Sequence, residues 1–193
     1  MKKSVIFILF IFVTLVLHAQ EEHLKFMDIP MDCSVREFTS QLKKKGLKKE
    51  GKSKNGILFS GKYASFTDCY IALYFSDKTN LIETISVALK KRNEWSSLYY
   101  DFQTIKEKLT KKYGEPFSLE EKWLSDFEPS GDAVRMFYVR SNKCKYEAKY
   151  IQKSGTIIVS INSIGPDKDC QVMVFYYDRI NNIIGEEKNL DDL

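Results

Sequence analysis

From Lys145 to Tyr150 the chain alternates strictly, with Tyr146, Ala148 and Tyr150 on one parity and Lys145, Glu147 and Lys149 on the other. A period of two sends the tyrosines and the alanine to one face of a β-strand and the charges to the opposite face. After turn residues at Gln152 to Gly155, the stretch Thr156 to Asn162 repeats the pattern with Ile157, Val159 and Ile161. A second turn, Gly165 to Asp169, leads into Gln171 to Tyr177. A one-residue slip would exchange the two faces, so a meander of this kind has a well-specified register. The first half of the chain carries three runs of the same type. These are Gly56 to Tyr63, Cys69 to Phe75 and Ile82 to Leu89, with Asp77-Lys78-Thr79-Asn80 as the turn between the last two. In Cys69 to Phe75 the residues Ile71, Leu73 and Phe75 oppose Tyr70, Ala72 and Tyr74. Phe117 to Trp123 and Val134 to Arg140 read as further strands, separated by a polar loop at Ser125 to Asp132.

Two segments carry the helical period instead. Phe26 to Pro30 reads as an extended lead-in, after which Ser34 with Glu37 three residues later makes a capping box. Val35, Phe38 and Leu42 follow on one face, and Gly46 supplies a left-handed stop. The second helix is expected over Ser96 to Lys112, capped by Ser96 or Ser97. Its apolar stripe is Leu98, Phe102, Ile105 and Leu109, and Gly114 and Pro116 end it. The fold class is therefore α+β, with helices packed on antiparallel sheet. The order helix, glycine stop, strands occurs twice, which reads as a duplicated unit with halves 21–92 and 93–178 inside one globular region, 21–178. Residues 179–193 read as a polar tail, either a short helix or frayed.

The first 20 residues have a different character. Lys2 and Lys3 precede an apolar run from Val5 to Leu17, interrupted only by Thr14, and polarity returns at His18-Ala19-Gln20-Glu21-Glu22. That run suits a signal-peptide core and falls short of the roughly 20 apolar residues of a transmembrane helix. Residues 1–20 are thus expected to be a cleaved signal peptide, cut after Ala19 or Gln20. The first cysteine, Cys33, is too far downstream for lipidation. The mature chain is expected to be exported, periplasmic or extracellular, without a membrane span. It is nearly charge-balanced once Lys2 and Lys3 are gone, and this argues against nucleic acid as a partner.

Export places Cys33, Cys69, Cys144 and Cys170 where thiols oxidise, and at least one disulfide is expected, of open pairing. No two of them have the close spacing of a metal site. If the C-terminal strands form a consecutive meander, Cys144 and Cys170 sit at one end of it, two strand spacings or about 9.5 Å apart. That exceeds the roughly 7 Å Cα limit for a disulfide, so a direct bond would require a frayed middle strand or another strand order.

Few residues offer catalytic chemistry, and no catalytic, cofactor or metal-binding residue is assigned. Gly56 to Tyr63 resembles a P-loop only in its glycines and Lys62. Tyr63 stands where the magnesium-binding hydroxyl belongs, and the segment is strand-like. His23, the one histidine left after cleavage, lies in a polar N-terminus expected to be flexible, and histidine-based hydrolysis has no oriented base there. Asp126, Glu128 and Asp132 cluster in one loop and Asp167 and Asp169 in another. These carboxylates could serve a glycoside hydrolase or bind calcium, while their ordinary place is in water. The lysines from Lys43 to Lys54 could attract an anionic polymer, but lysines before Gly46 and Gly114 also suit the negative end of a helix dipole. Trp95, Tyr99, Tyr100 and Trp123 surround the second helix and are the candidate binding surface, against the reading that they pack the core and its rim.

Three features carry a resemblance. They are the ending His18-Ala19-Gln20, the lead-in Leu24-Lys25-Phe26-Met27-Asp28-Ile29-Pro30, and Lys111-Lys112-Tyr113-Gly114-Glu115-Pro116 before strands. The chain resembles secreted proteins of Bacteroidetes bacteria. The helix, Tyr-Gly-x-Pro, strand unit is loosely similar to BamE/SmpA-like and β-lactamase-inhibitor-protein-like modules. That resemblance implies a binding or assembly module of the cell envelope and transfers no functional residue. The expected function is a non-enzymatic, exported binder of a protein or glycan, using the exposed face of its sheet or the aromatic edge of its second helix. A carboxylate-dependent envelope hydrolase and a soluble envelope-assembly factor are the alternatives.

Overall fold

The structure, a computed structural model, describes residues 23–165 and 167–190; the signal-peptide reading of residues 1–20 lies outside the described residues. The described chain is α+β and mostly sheet. A two-stranded ribbon, β1 (Lys25–Phe26) and β2 (Ile29–Pro30), leads into α1 (Val35–Lys44). The strands β3 (Lys48–Lys52), β4 (Gly56–Tyr63), β5 (Phe66–Phe75) and β6 (Ile82–Ala88) follow. Then come α2 (Trp95–Tyr113), β7 (Ser118–Trp123), α3 (Asp132–Arg140), β8 (Cys144–Gln152), β9 (Gly155–Ile164), β10 (Asp169–Asp178) and α4 (Arg179–Leu190). No helix among the described residues is long and apolar enough to cross a membrane.

The eight longer strands form one sheet in the order β3-β4-β5-β6-β10-β9-β8-β7, antiparallel throughout. Two meanders, β3 to β6 and β7 to β10, meet through their last strands, with Val87 opposite Val174 and Ile85 opposite Tyr176. One face of this sheet carries the alternating apolar side chains. Phe59, Ile71, Leu73, Ile85, Val159 and Val174 are buried there against Phe38 and Leu42 of α1 and the stripe Leu98, Phe102, Ile105 and Leu109 of α2. Each such side chain, fully buried, contributes about 1.5–3 kcal/mol. Tyr150 ties the second meander to α2, since its hydroxyl donates to the Lys106 carbonyl at 3.0 Å and lies 3.0 Å from the Thr110 hydroxyl.

The helix ends divide into expected and unexpected. The Ser34 hydroxyl accepts from the Glu37 N–H at 3.3 Å, as the capping box requires. Lys43 and Lys44 occupy the last turn of α1, and Lys111 and Lys112 that of α2. The start of α2 differs from expectation, because neither Ser96 nor Ser97 caps it and the Glu94 side chain at the cap position accepts from the Ser97 hydroxyl rather than from a backbone N–H. The cap comes from the next helix. The Asp132 carboxylate accepts from the Trp95 N–H at 2.9 Å and from the Ser96 N–H at 3.0 Å. Replacing Asp132 by alanine is therefore expected to lower the unfolding free energy by about 1–2 kcal/mol, the usual loss of an N-cap. Urea unfolding followed by tryptophan fluorescence checks it, and Asp132→Asn should retain part of the cap.

Two sequence expectations are corrected, and one strand is added. Val134 to Arg140 reads as a strand because it is rich in β-branched and aromatic residues, yet Asp132–Arg140 is the helix α3. Met136 and Val139, three apart, are buried while Phe137 stays exposed, and α3 packs against α2, β9 and β10. Tertiary burial at helical spacing overrides local β-propensity here. Lys48–Lys52 forms an edge strand that its lysines conceal. The N-terminal segment is embedded, with Leu24, Phe26, Ile29 and Met31 each at most 2 % exposed, and the imidazole Nδ1 of His23 lies 3.2 Å from Asp178. The segment beginning at Arg179 takes the helical of the two forms expected of it, and its Asn181 is fully buried.

Candidate binding face

The opposite face of the sheet follows from the same alternation. Strand pairing sets its side chains in rows that cross the sheet. One row runs Leu58, Ala72, Ser86, Phe175, Ile158, Lys149. A second runs Tyr74, Thr84, Tyr177, Thr156, Ile151. A third runs Ser60, Tyr70, Ala88, Met173, Ser160, Glu147. Small residues, Thr84, Ser86 and Ala88, thus occupy β6 along its whole exposed parity. Tyr70 and Tyr74 stand on one side of it and Met173, Phe175 and Tyr177 on the other.

The result is a trough with an uncharged floor and aromatic walls two strand spacings apart, roughly 9.5–10 Å. Tyr70 and Tyr74 are 54 % and 49 % exposed, whereas Ser86 on the floor is only 6 % exposed. The rings of Phe175 and Tyr177 stack at 6.0 Å between centroids. Charge is confined to the flanks. Lys48 pairs with Glu50 toward one edge, and Lys122 and Lys145 pair with Glu120 toward the other. An apolar, aromatic centre bounded by a charged rim is the composition of a recognition surface.

The four aromatic residues chosen from the sequence do not share a surface. Trp95 is buried, Tyr99 and Trp123 are half-buried, and only Tyr100 is exposed. Trp95, Tyr99 and Trp123 surround Tyr146, with Trp95 and Trp123 4.8 Å apart between centroids. They fasten α2 onto β7 and β8 and correct the expectation of a stacking platform. The Tyr99 hydroxyl is committed as well. It donates to Glu121 at 3.1 Å, and Glu121 also receives Gln103 at 2.9 Å and Lys106. Burial pushes the Glu121 carboxyl up, but those three donors outweigh it and hold the group below its ordinary value.

All four cysteines are free thiols, where at least one disulfide was expected. Cys170 lies opposite Ser163, and the β8–β9 register carried on from Glu147 and Ser160 brings Cys144 to the other side of the same serine. The central strand therefore separates the two, as the consecutive meander demands. Cys33 precedes α1 and bonds to the Pro30 carbonyl, while Cys69 lies within β5. Burial raises Cys33, Cys69 and Cys144 to about 11, which leaves little thiolate at neutral pH.

The carboxylates disperse. Asp132 is the cap of α2, Glu128 pairs with Arg135, and Asp169 pairs with Lys91, while Asp126 and Asp167 are exposed. Among the described residues no group of three or more His, Cys, Asp or Glu side chains is placed to hold a metal ion. The floor and far wall of the trough were missed in the sequence. Tyr70 and Tyr74 show there as the outward parity of β5, but nothing local says that β10 lies two strands away. No family model matches the chain, and no curated protein or solved structure matches it.

Proposed function

We propose that this chain is an exported, non-enzymatic binding protein that takes its ligand into the trough over β6. The observation carrying this reading is the juxtaposition of Tyr70 and Tyr74 with Met173, Phe175 and Tyr177 across a floor of Thr84, Ser86 and Ala88. A single chain that must stay dispersed in water has no folding reason to keep two half-exposed tyrosines beside a stacked Phe-Tyr pair, since the opposite face already supplies the core. Leu58 and Ile158 on the same face favour a protein ligand over a glycan, because they extend the aromatic centre with aliphatic surface of the kind protein interfaces bury. Export rests on Lys2, Lys3 and the apolar run to Leu17.

The test fills the trough without disturbing the core. Mature protein is used as bait on envelope and culture-supernatant fractions, beside a Ser86→Arg variant whose circular dichroism and melting match wild type. A protein retained by wild type and lost with Ser86→Arg supports the proposal. The same set of proteins retained by both sinks it. Mass spectrometry of the native protein should find an N-terminus at Gln20 or Glu21; a retained Met1 removes the export half of the reading.

A further inference from the structure

The two edges of the sheet are finished differently. β3 ends one side with Lys48, Lys49 and Lys52, and its pairing with β4 is broken by a bulge between Lys49 and Gly51. Lysines and bulges on an edge strand keep other strands from adding to it. β7 ends the other side with a single lysine, Lys122, and without a break in its pairing. All six of its residues pair with β8 in unbroken register, and no described strand covers its outer edge. Leu119 in the middle of this edge is 48 % exposed, and Phe117 just before it is 74 % exposed. The Leu124 N–H donates to the Lys143 carbonyl at 2.9 Å. In an antiparallel ladder such pairs recur at every second residue, so Lys122, Glu120 and Ser118 turn their backbone groups to β8. The N–H and C=O groups of Leu119, Glu121 and Trp123 then point away from the sheet.

We infer that β7 is the interface of a homodimer, in which a second copy pairs its own β7 antiparallel to this one and makes the sheet continuous between the two subunits. Two observations select a second copy as the occupant. The first is charge. An isologous pairing centred on Glu121 sets Leu119 opposite Trp123 of the partner subunit, and it sets Glu120 opposite Lys122 of the partner subunit. Each pair occurs twice by symmetry. The strand is thus complementary to itself, with two opposite-charge pairs on one face, added to the contacts Glu120 already makes with Lys122 and Lys145 of its own subunit, and two apolar pairs on the other. The second is that Glu121, the one residue that meets its own like, is already held by Lys106, Gln103 and Tyr99 and needs no counter-charge from the partner. The trough over β6 is four strands away and stays open in each subunit.

Sedimentation velocity on the mature protein across a concentration series tests this. Wild type is expected to dimerise reversibly, with the amides of Leu119, Glu121 and Trp123 gaining hydrogen-exchange protection as the dimer forms. Lys122→Glu should weaken the dimer by about tenfold, and adding Glu120→Lys to it should restore the dimer, because the reciprocal pairs are then rebuilt with their signs exchanged. Leu119→Lys, which gives β7 the finish of β3, should leave a folded monomer. A wild-type monomer at the highest soluble concentration overturns the inference. So does a dimer that Lys122→Glu and Leu119→Lys leave intact, or β7 amides protected only when a foreign peptide is added.

Discussion

Replacing Asp178 by alanine will lower the unfolding free energy by about 4 kcal/mol, since it strands buried donors that have no other acceptor. Asp178 ends β10 and is wholly buried. One carboxylate oxygen accepts from the Leu24 N–H at 2.9 Å, and the other accepts from the Asn181 N–H at 2.9 Å and lies 3.2 Å from the His23 ring. A single side chain thereby joins the N-terminal segment, the last strand and the first turn of α4. Asn181 extends the junction by donating to the Met31 and Ile82 carbonyls at 2.7 and 2.9 Å. Asp178→Asn discriminates among causes, because an amide can keep one of the two N–H partners but turns a donor toward the other. It should recover about half of the loss. Equilibrium urea unfolding of both variants beside wild type decides it, and a change below about 1 kcal/mol for alanine would show that the junction matters little.

The second large effect is expected at the residue paired with Asp178. Gly155 lies opposite Asp178 in the β9–β10 ladder at φ 156°. A Cβ there would stand 2.0 Å from the Tyr177 carbonyl oxygen and 2.7 Å from Leu24 Cδ1. The leucine could rotate aside, but the carbonyl belongs to the ladder and cannot retreat without opening it. Gly155→Ala is therefore expected to destabilise by more than about 3 kcal/mol, from overpacking and backbone strain together. Gly165→Ala is the control, for it has a positive φ of 77° but nothing within 4 Å of the added carbon. Its loss should stay near 1 kcal/mol, the cost of the left-handed conformation alone. Thermal unfolding of the two variants separates clash from conformation. Asp178→Ala and Gly155→Ala share Leu24, so the double variant should lose less than the sum of the single losses.

Both residues were silent in the sequence, and the reason is the same for each. Asp178 precedes a stretch of polar residues and looks like the start of a tail. Gly155 looks like an ordinary turn glycine after Lys153 and Ser154. Their importance comes from Leu24, more than 100 positions away, and sequence distance of that size leaves no local pattern. The helix α3 failed for a related reason. Val134, Phe137, Tyr138 and Val139 favour a strand by composition, and only the groove between α2 and the sheet makes the spacing of Met136 and Val139 decisive. The cap of α2 came from Asp132, 37 positions beyond Trp95, although two serines were available in place. By contrast, the capping box at Ser34, the stripe of α2 and the C-terminal meander were legible because each is a periodicity or a spacing within one element.

The alternating runs determined by themselves that the chain forms a largely antiparallel sheet with helices packed on it, and the parity of each strand determined which side chains leave the core. Tyr70 and Tyr74 were committed to the outer face in that way, as were Lys145, Glu147 and Lys149. The tertiary structure alone decided that β6 pairs with β10. That single pairing joins the two meanders and sets Phe175 and Tyr177 across a small-residue floor from Tyr74. It also sends β3 and β7 to opposite edges. Burial and period are properties of neighbouring residues and can be read along the chain. Which strands meet depends on closing a loop across the whole molecule, where many pairings satisfy the same local pattern and only the packed core selects among them.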